Sequence, residues 1–282
     1  MSETTPSISP REERRRRLMR RNHSVSHDLY ASLQLHHLWR TLAWEDLRQR
    51  YRRSTLGIAW ILLSFILMLL IFVLIFGRSS PSMTRIQYTL YLSSGLVVWN
   101  FMSGAVTRGV SVFGANGGWI RSTPAPFSVL IFRSIFSNIM ETGLTFLAIL
   151  PLIYIYGVPG VTGFLTMGVA VLLYITASIP MGMLMGCIGA RSADFQQLVP
   201  ALMRIGFFAT PVFWDYETRT GTRLIMAHYN PFTHFLELFR APLMGKAPTD
   251  TNWMVAIGST ILLWVAGLIV FKLFRPRLAA WV

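Results

Sequence analysis

The chain has 282 residues, of which 53% are hydrophobic and only 13% charged, and a formal net charge of +14. Ordinary soluble domains carry roughly a quarter charged residues, so a single water-soluble domain is excluded. The one cysteine, Cys187, excludes a disulfide framework, and no nucleic-acid partner is expected, because twelve of the 26 basic residues crowd between Arg11 and Arg53.

Residues 1–28 are rich in Ser, Pro and Arg, with Arg-Glu-Glu-Arg-Arg-Arg-Arg at 11–17. They read as a disordered basic cytoplasmic tail. A signal peptide is not expected, since no short apolar core with a small-residue cleavage site follows the arginines. Over 29–53 a helical pattern sets Leu35, Leu38, Trp39, Leu42, Leu47 and Tyr51 against His36, His37, Arg40, Glu45 and Arg48. An apolar stripe backed by basic residues predicts an amphipathic helix lying in the membrane surface. Arg48, Arg50, Arg52 and Arg53 fall within six residues, and then Thr55–Gly77 carries no charge. Basic flanks stay inside, so this end of the first span is expected in the cytoplasm.

The transmembrane domain is expected over 54–275, followed by a short cytoplasmic tail at 276–282. Uncharged or nearly uncharged stretches predict six spans: Thr55–Gly77, Ile86–Thr107, Ser134–Tyr156, Val161–Gly189, Phe195–Trp214 and Thr251–Phe271. A Ser-Ser-Pro turn separates the first two. The run Thr142–Ala190 is uncharged but too long for one crossing, and Tyr156-Gly-Val-Pro-Gly160 supplies its break. Six spans place both termini in the cytoplasm. Arg121, Arg191, Lys272, Arg275 and Arg277 then fall on the inner side, as the positive-inside rule requires.

Enzyme signatures are missing. A phosphate-binding loop needs Gly-Lys-Ser/Thr, but Lys246 precedes Ala247 and Lys272 follows Phe271. Any energy from ATP must therefore come through a partner. The six histidines lack zinc spacing, and no metal or catalytic residue is expected. The inner loop from Phe113 to Phe127 holds flexible glycines and a short amphipathic piece, Gly117, Gly118, Trp119, Ile120 and Arg121. It reads either as a connector or as a short helix that docks a cytoplasmic partner, together with Arg48 and Arg50.

Glu141 and Arg204 lie inside predicted spans that both start from the cytoplasmic side. Buried charges in a bilayer pair or line a wet cavity, so Glu141 is expected to pair with Arg204, or with Arg133 two turns earlier. Trp60, Phe72 and Phe76 share an i, i+4 stripe with Ser64 and Met68 on the first span, and Tyr88, Tyr91, Gly95, Trp99 and Met102 form a helical stripe on the second. Such stripes serve as packing or lipid-facing surfaces, and a sugar-conducting channel lined by stacked rings would use the same residues. The outer segment breaks at His228-Tyr-Asn-Pro231. Beyond it Phe232, Phe235, Leu236, Phe239 and Leu243 share a helical face, which predicts a hairpin folded back on the outer surface.

The chain resembles the six-span permease subunits of ABC-2-type exporters, and within them the exporters of O-antigen, capsule and teichoic acid. The segments that carry the resemblance are Leu47–Trp60, Gly95–Asn100, Arg191–Pro200, Phe207–Trp214 and Asn230–Arg240, in that order. The resemblance implies a homodimer in the bacterial inner membrane bound to two copies of a separate ATPase, which would hold ATP and Mg itself. It implies coupling through the 2–3 loop and a polysaccharide substrate on a lipid anchor, with O-antigen favoured over capsule. Arg52, Arg53 and Arg121 are then candidates for attracting a pyrophosphate head at the inner entrance, the other reading being orientation and lipid contact. An ABC-2 permease for drugs or small lipids is the alternative. A membrane-embedded sugar or lipid transferase is a third reading, against which stands the missing catalytic constellation.

Overall fold

A computed structural model describes residues 24–77, 83–156, 159–215 and 221–282, and among these the regular structure is entirely helical. In chain order the helices are α1 (Val25–Gln34), α2 (His36–Tyr51), α3 (Ala59–Phe76), α4 (Arg85–Ser111), α5 (Gly117–Ser122), α6 (Ser128–Leu147) and α7 (Leu150–Tyr156). They continue with α8 (Val161–Arg191), α9 (Ala193–Ala209), α10 (Thr222–Tyr229), α11 (Pro231–Leu243), α12 (Asp250–Phe274) and α13 (Leu278–Trp281). Three stretches are long and apolar enough to cross a membrane: α3, α8 and Asp250–Trp281. The number rises to five if α4 with α5, bent by 56°, and α6 with α7, bent by 44°, each count as one span.

Local chemistry explains where the elements start and stop. Thr84 and Gln87 form a reciprocal capping box at the head of α4. Asn230 caps α11 by accepting from the Phe232 amide, with Pro231 at the first helical position, where its missing N–H costs nothing. The expected break at His228–Pro231 is therefore where α10 ends and α11 begins. The Ser-Ser-Pro turn at 79–81 and most of the basic tail lie outside the described residues.

The ends of the predicted regions move. The tail gives way to α1 at Val25, within the stretch read as disordered, because Asp28 is buried there. It accepts from the Phe127 and Ser128 amides at 3.2 and 2.9 Å and pairs with Arg275. The helix expected over 29–53 is two helices, broken at Leu35.

α3 buries only Phe65, Leu69 and Val73, one i, i+4 stripe, and leaves Leu67, Leu70, Ile71, Leu74 and Ile75 exposed. An apolar helix with one buried stripe fits lipid on its other faces. α4 is the opposite, covered on nearly all sides by α6, α8, α9 and α11. The long pairs approach closely because small residues permit it. A Cβ at Gly267 would meet the Pro180 carbonyl at 2.7 Å, and one at Gly189 would overlap the Val110 carbonyl. α11, the helix expected to fold back on the outer surface, is buried from Thr233 to Leu243 against α4, α8 and α12. The exposed element is α10, with Ile225 and Tyr229 bare.

Candidate functional site

α2 is laced to α6 by two ion pairs of alternating sign. Asp46 takes two hydrogen bonds from Arg133, at 2.6 and 2.5 Å, and Arg50 donates to Glu141 at 2.6 Å. Asp46 and Arg50 are one turn apart on α2, while Arg133 and Glu141 are two turns apart on α6. Trp39 stacks on Phe132 and packs edge-on to Phe136, and Ala43 and Leu47 are buried beneath. The apolar stripe read from sequence thus packs against α6 within the protein.

Arg108 of α4 also pairs with Glu141, so one carboxylate serves two guanidinium groups from two helices. This triad stands between two clefts that share Arg108. The first, of about 430 Å³, lies between α3, α4 and α6, with Trp60, Phe65, Asn100, Asn138, Glu141 and Thr142 on its walls. The second, of about 490 Å³, lies between α2, α4 and α6, with Asp46, Gln49, Arg50, Asn116, Arg133 and Ser137. Asn138 shapes the first by donating to the Phe101 carbonyl at 2.8 Å. Only glycine at 104 leaves room for its amide, since a Cβ there would come within 2.3 Å of Asn138 Oδ1.

The expected partners of Glu141 are corrected. Neither Arg204 nor Arg133 reaches it: Arg133 is taken by Asp46 and by Asn116 at 3.2 Å, and Arg204 is exposed on α9. The carboxylate faces α2 and α4, so the nearest arginines along its own helix and on α9 do not compete for it.

α5 carries the residues read as a docking element, but it does not present them all. Ile120 and Gly117 are buried, Trp119 is half-buried, and Gly118 and Arg121 are exposed. Gly117 faces Val282, and Arg121 donates to the Val282 main-chain oxygen at 2.8 Å, so α13 underlies α5. Arg48 is exposed and bridges Glu45 on its own helix. Arg50, by contrast, is held by Glu141. Arg52 and Arg53 are exposed just after α2, and Arg121 lines neither cleft.

The aromatic stripes divide. Trp60 is 40% exposed and donates to Ser54 Oγ at 2.7 Å. Phe72 and Phe76 are half-buried in a ring cluster with Phe207 and Phe213. Tyr88, Tyr91 and Trp99 do not line a free surface, because they are core residues at 2%, 5% and 5% exposure. Tyr88 donates to the Phe213 carbonyl and Tyr91 to that of Trp214. Arg240 of α11 lies 3.8 Å from the Tyr91 ring and donates to the Pro211 and Val212 carbonyls, fixing the segment after α9. Among the described residues no group of three or more His, Cys, Asp or Glu could hold a metal.

Residues 37–244 match the family described as ABC-2 type transporter. The chain is 26% identical over 234 residues to the O-antigen export system permease protein RfbA of Myxococcus xanthus, covering 80% of this chain and 88% of that one. It is 24% identical over 243 residues to the protein of the same name from Klebsiella pneumoniae, covering 83% and 91%. It is also 24% identical over 202 residues to the polysialic acid transport protein KpsM of Escherichia coli, covering 71% and 78%.

Proposed function

The chain belongs to the ABC-2 type transporter family, and on that premise we propose that it is the permease subunit of an ATP-driven polysaccharide exporter. It works as a homodimer with six spans per copy and both termini in the cytoplasm of the bacterial inner membrane. Two copies of a separate ATPase subunit bind ATP and Mg. The substrate is a lipid-linked glycan, O-antigen before capsule, moved outward through a channel at the homodimer interface.

The observation that carries this reading is the similarity to export permeases across most of the length of both partners, two of them named for O-antigen and one for polysialic acid. The geometry supplies a route for the mechanical step. The partner ATPase meets α5 at the exposed Gly118 and Arg121, and α2 on its Arg48 side. Displacement of α2 reaches α6 through Asp46–Arg133 and Arg50–Glu141, and α4 through Arg108. Ion pairs with fixed partners act here as struts, and their alternating sign holds one register.

Deletion of the gene tests the proposal. Surface polysaccharide is lost while lipid-linked glycan accumulates on the cytoplasmic side, and the chain with its ATPase restores export. Unchanged surface glycan with lost efflux of a drug or short lipid would transfer the assignment to the small-lipid branch of the family.

A further inference from the structure

We propose that the groove between α3, α4 and α6 binds the phosphate headgroup of an anionic membrane lipid that enters sideways beneath α2. Its walls differ in kind. α3 contributes the apolar Ile61, Phe65 and Met68, whereas α4 and α6 contribute amides and hydroxyls. Asn100 and Thr142 face the space with side chains that hydrogen-bond to no described residue. Unpartnered amide and hydroxyl groups at membrane depth are costly unless a polar occupant satisfies them.

The floor is basic. Glu141 on the groove wall is shared by Arg108, which lines the groove with it, and by Arg50 behind it, so this triad carries an excess of one positive charge. Arg52 and Arg53 stand exposed at the turn just beyond α2. A phosphate ester meets that excess with charge-assisted hydrogen bonds, and Arg108, already splayed from α4 toward Glu141, is placed to share itself. A volume of about 430 Å³ admits a headgroup and the start of its tail. Trp60, half-exposed at the mouth with its indole tied to Ser54, marks headgroup depth, where tryptophan concentrates. One apolar wall, two polar walls and a cationic floor suit an amphiphile better than a soluble anion.

Two lipids share this chemistry: bulk anionic glycerophospholipid and a polyprenyl phosphate carrier. The inference rests on the membrane placement of the chain and not on transport, so binding is read on the purified full chain without ATPase or glycan. Native mass spectrometry of the monodisperse fraction, incubated with phosphatidylglycerol, undecaprenyl phosphate or phosphatidylcholine, counts retained lipid. One of the two anionic lipids is expected to be retained about tenfold over phosphatidylcholine. Whichever is preferred identifies the source. Arg108→Gln and Asn100→Leu lower retention severalfold, and Thr142→Val, which leaves the ion pairs intact, lowers it less. Glu141→Gln raises it, because two arginines lose their shared carboxylate, an effect that a purely structural triad would not produce. Equal retention of phosphatidylcholine, or retention unchanged in both Asn100→Leu and Thr142→Val, overturns the site.

Discussion

The guanidinium of Arg275 lies 2.7 Å from the carboxylate of Asp28, a contact between residues 247 apart in the chain. Both are almost wholly buried, and Asp28 also accepts the amides that open α6. One carboxylate thereby fastens α1, the end of α12 and the segment that leaves α5. A negative charge at a helix start is favourable in its own right, and here it neutralises a buried cation as well.

Removing one partner of such a pair strands the other. Asp28→Ala leaves Arg275 buried without its carboxylate and uncaps α6, so a loss of about 3–5 kcal/mol is expected. Thermal unfolding of the detergent-solubilised chain measures it. The joint replacement Asp28→Leu with Arg275→Met should recover a good part of the loss. A double variant as unstable as Asp28→Ala alone would show that the amide bonds, and not the ion pair, dominate.

The two rungs between α2 and α6 respond differently to reversal. Swapping Asp46→Arg with Arg133→Asp recreates an ion pair on the same geometry, and stability should return close to the parent. Swapping Arg50→Glu with Glu141→Arg cannot succeed equally, because Arg108 would then face a new cation. Arg50→Gln alone costs little, roughly 0.2–1 kcal/mol, since nearly half of that side chain meets solvent. Glu141→Gln costs more, having two partners to abandon. Melting temperatures of the four variants check the order, and full rescue by the second swap would remove Arg108 from the network.

Much of this organisation was legible in the sequence, and the reason the rest was not is specific. The uncharged stretch of α3, the break before Pro231 and the short helix at Trp119–Arg121 follow from charge and turn chemistry within a few residues of each other. The partners of Glu141 do not, for they come from α2 and α4, and the period of a helix says nothing about its neighbours. Arg108 was hidden by the rule that a charge ends a span. The expected second span stops at Thr107, whereas α4 continues to Ser111 and turns Arg108 inward. Tyr88, Tyr91 and Trp99 show the spacing of a channel stripe and of a core stripe alike. Only the packing of Phe207, Phe232 and Arg240 against them distinguishes the two.

Arg240 is the next residue whose loss should be felt. It is 1% exposed, bonded to Glu237, the Pro211 and Val212 carbonyls and the Tyr91 ring. Lysine has neither the planar fork nor the stacking face, so Arg240→Lys should destabilise nearly as much as Arg240→Leu, by about 3 kcal/mol or more. Hydrogen exchange localises the effect: the 211–215 segment should lose protection before α8 or α12 does. A mild lysine variant would mean that charge alone suffices there.

Adjacent glycines on α5 separate docking from folding. A Cβ at Gly117 would come within 2.5 Å of the Val282 oxygen, so Gly117→Val must push α13 away and should lower the melting temperature by several degrees. A Cβ at Gly118 meets nothing within 4 Å, and that position faces outward. Gly118→Val should therefore leave the isolated chain as stable as the parent. If α5 is the surface on which the ATPase seats, the same substitution reduces co-purification of that subunit and uncouples its hydrolysis from export. Equal ATPase binding by parent and Gly118→Val, at unchanged stability, would move the contact to the exposed side of α2 around Arg48, where Arg48→Glu becomes the decisive variant.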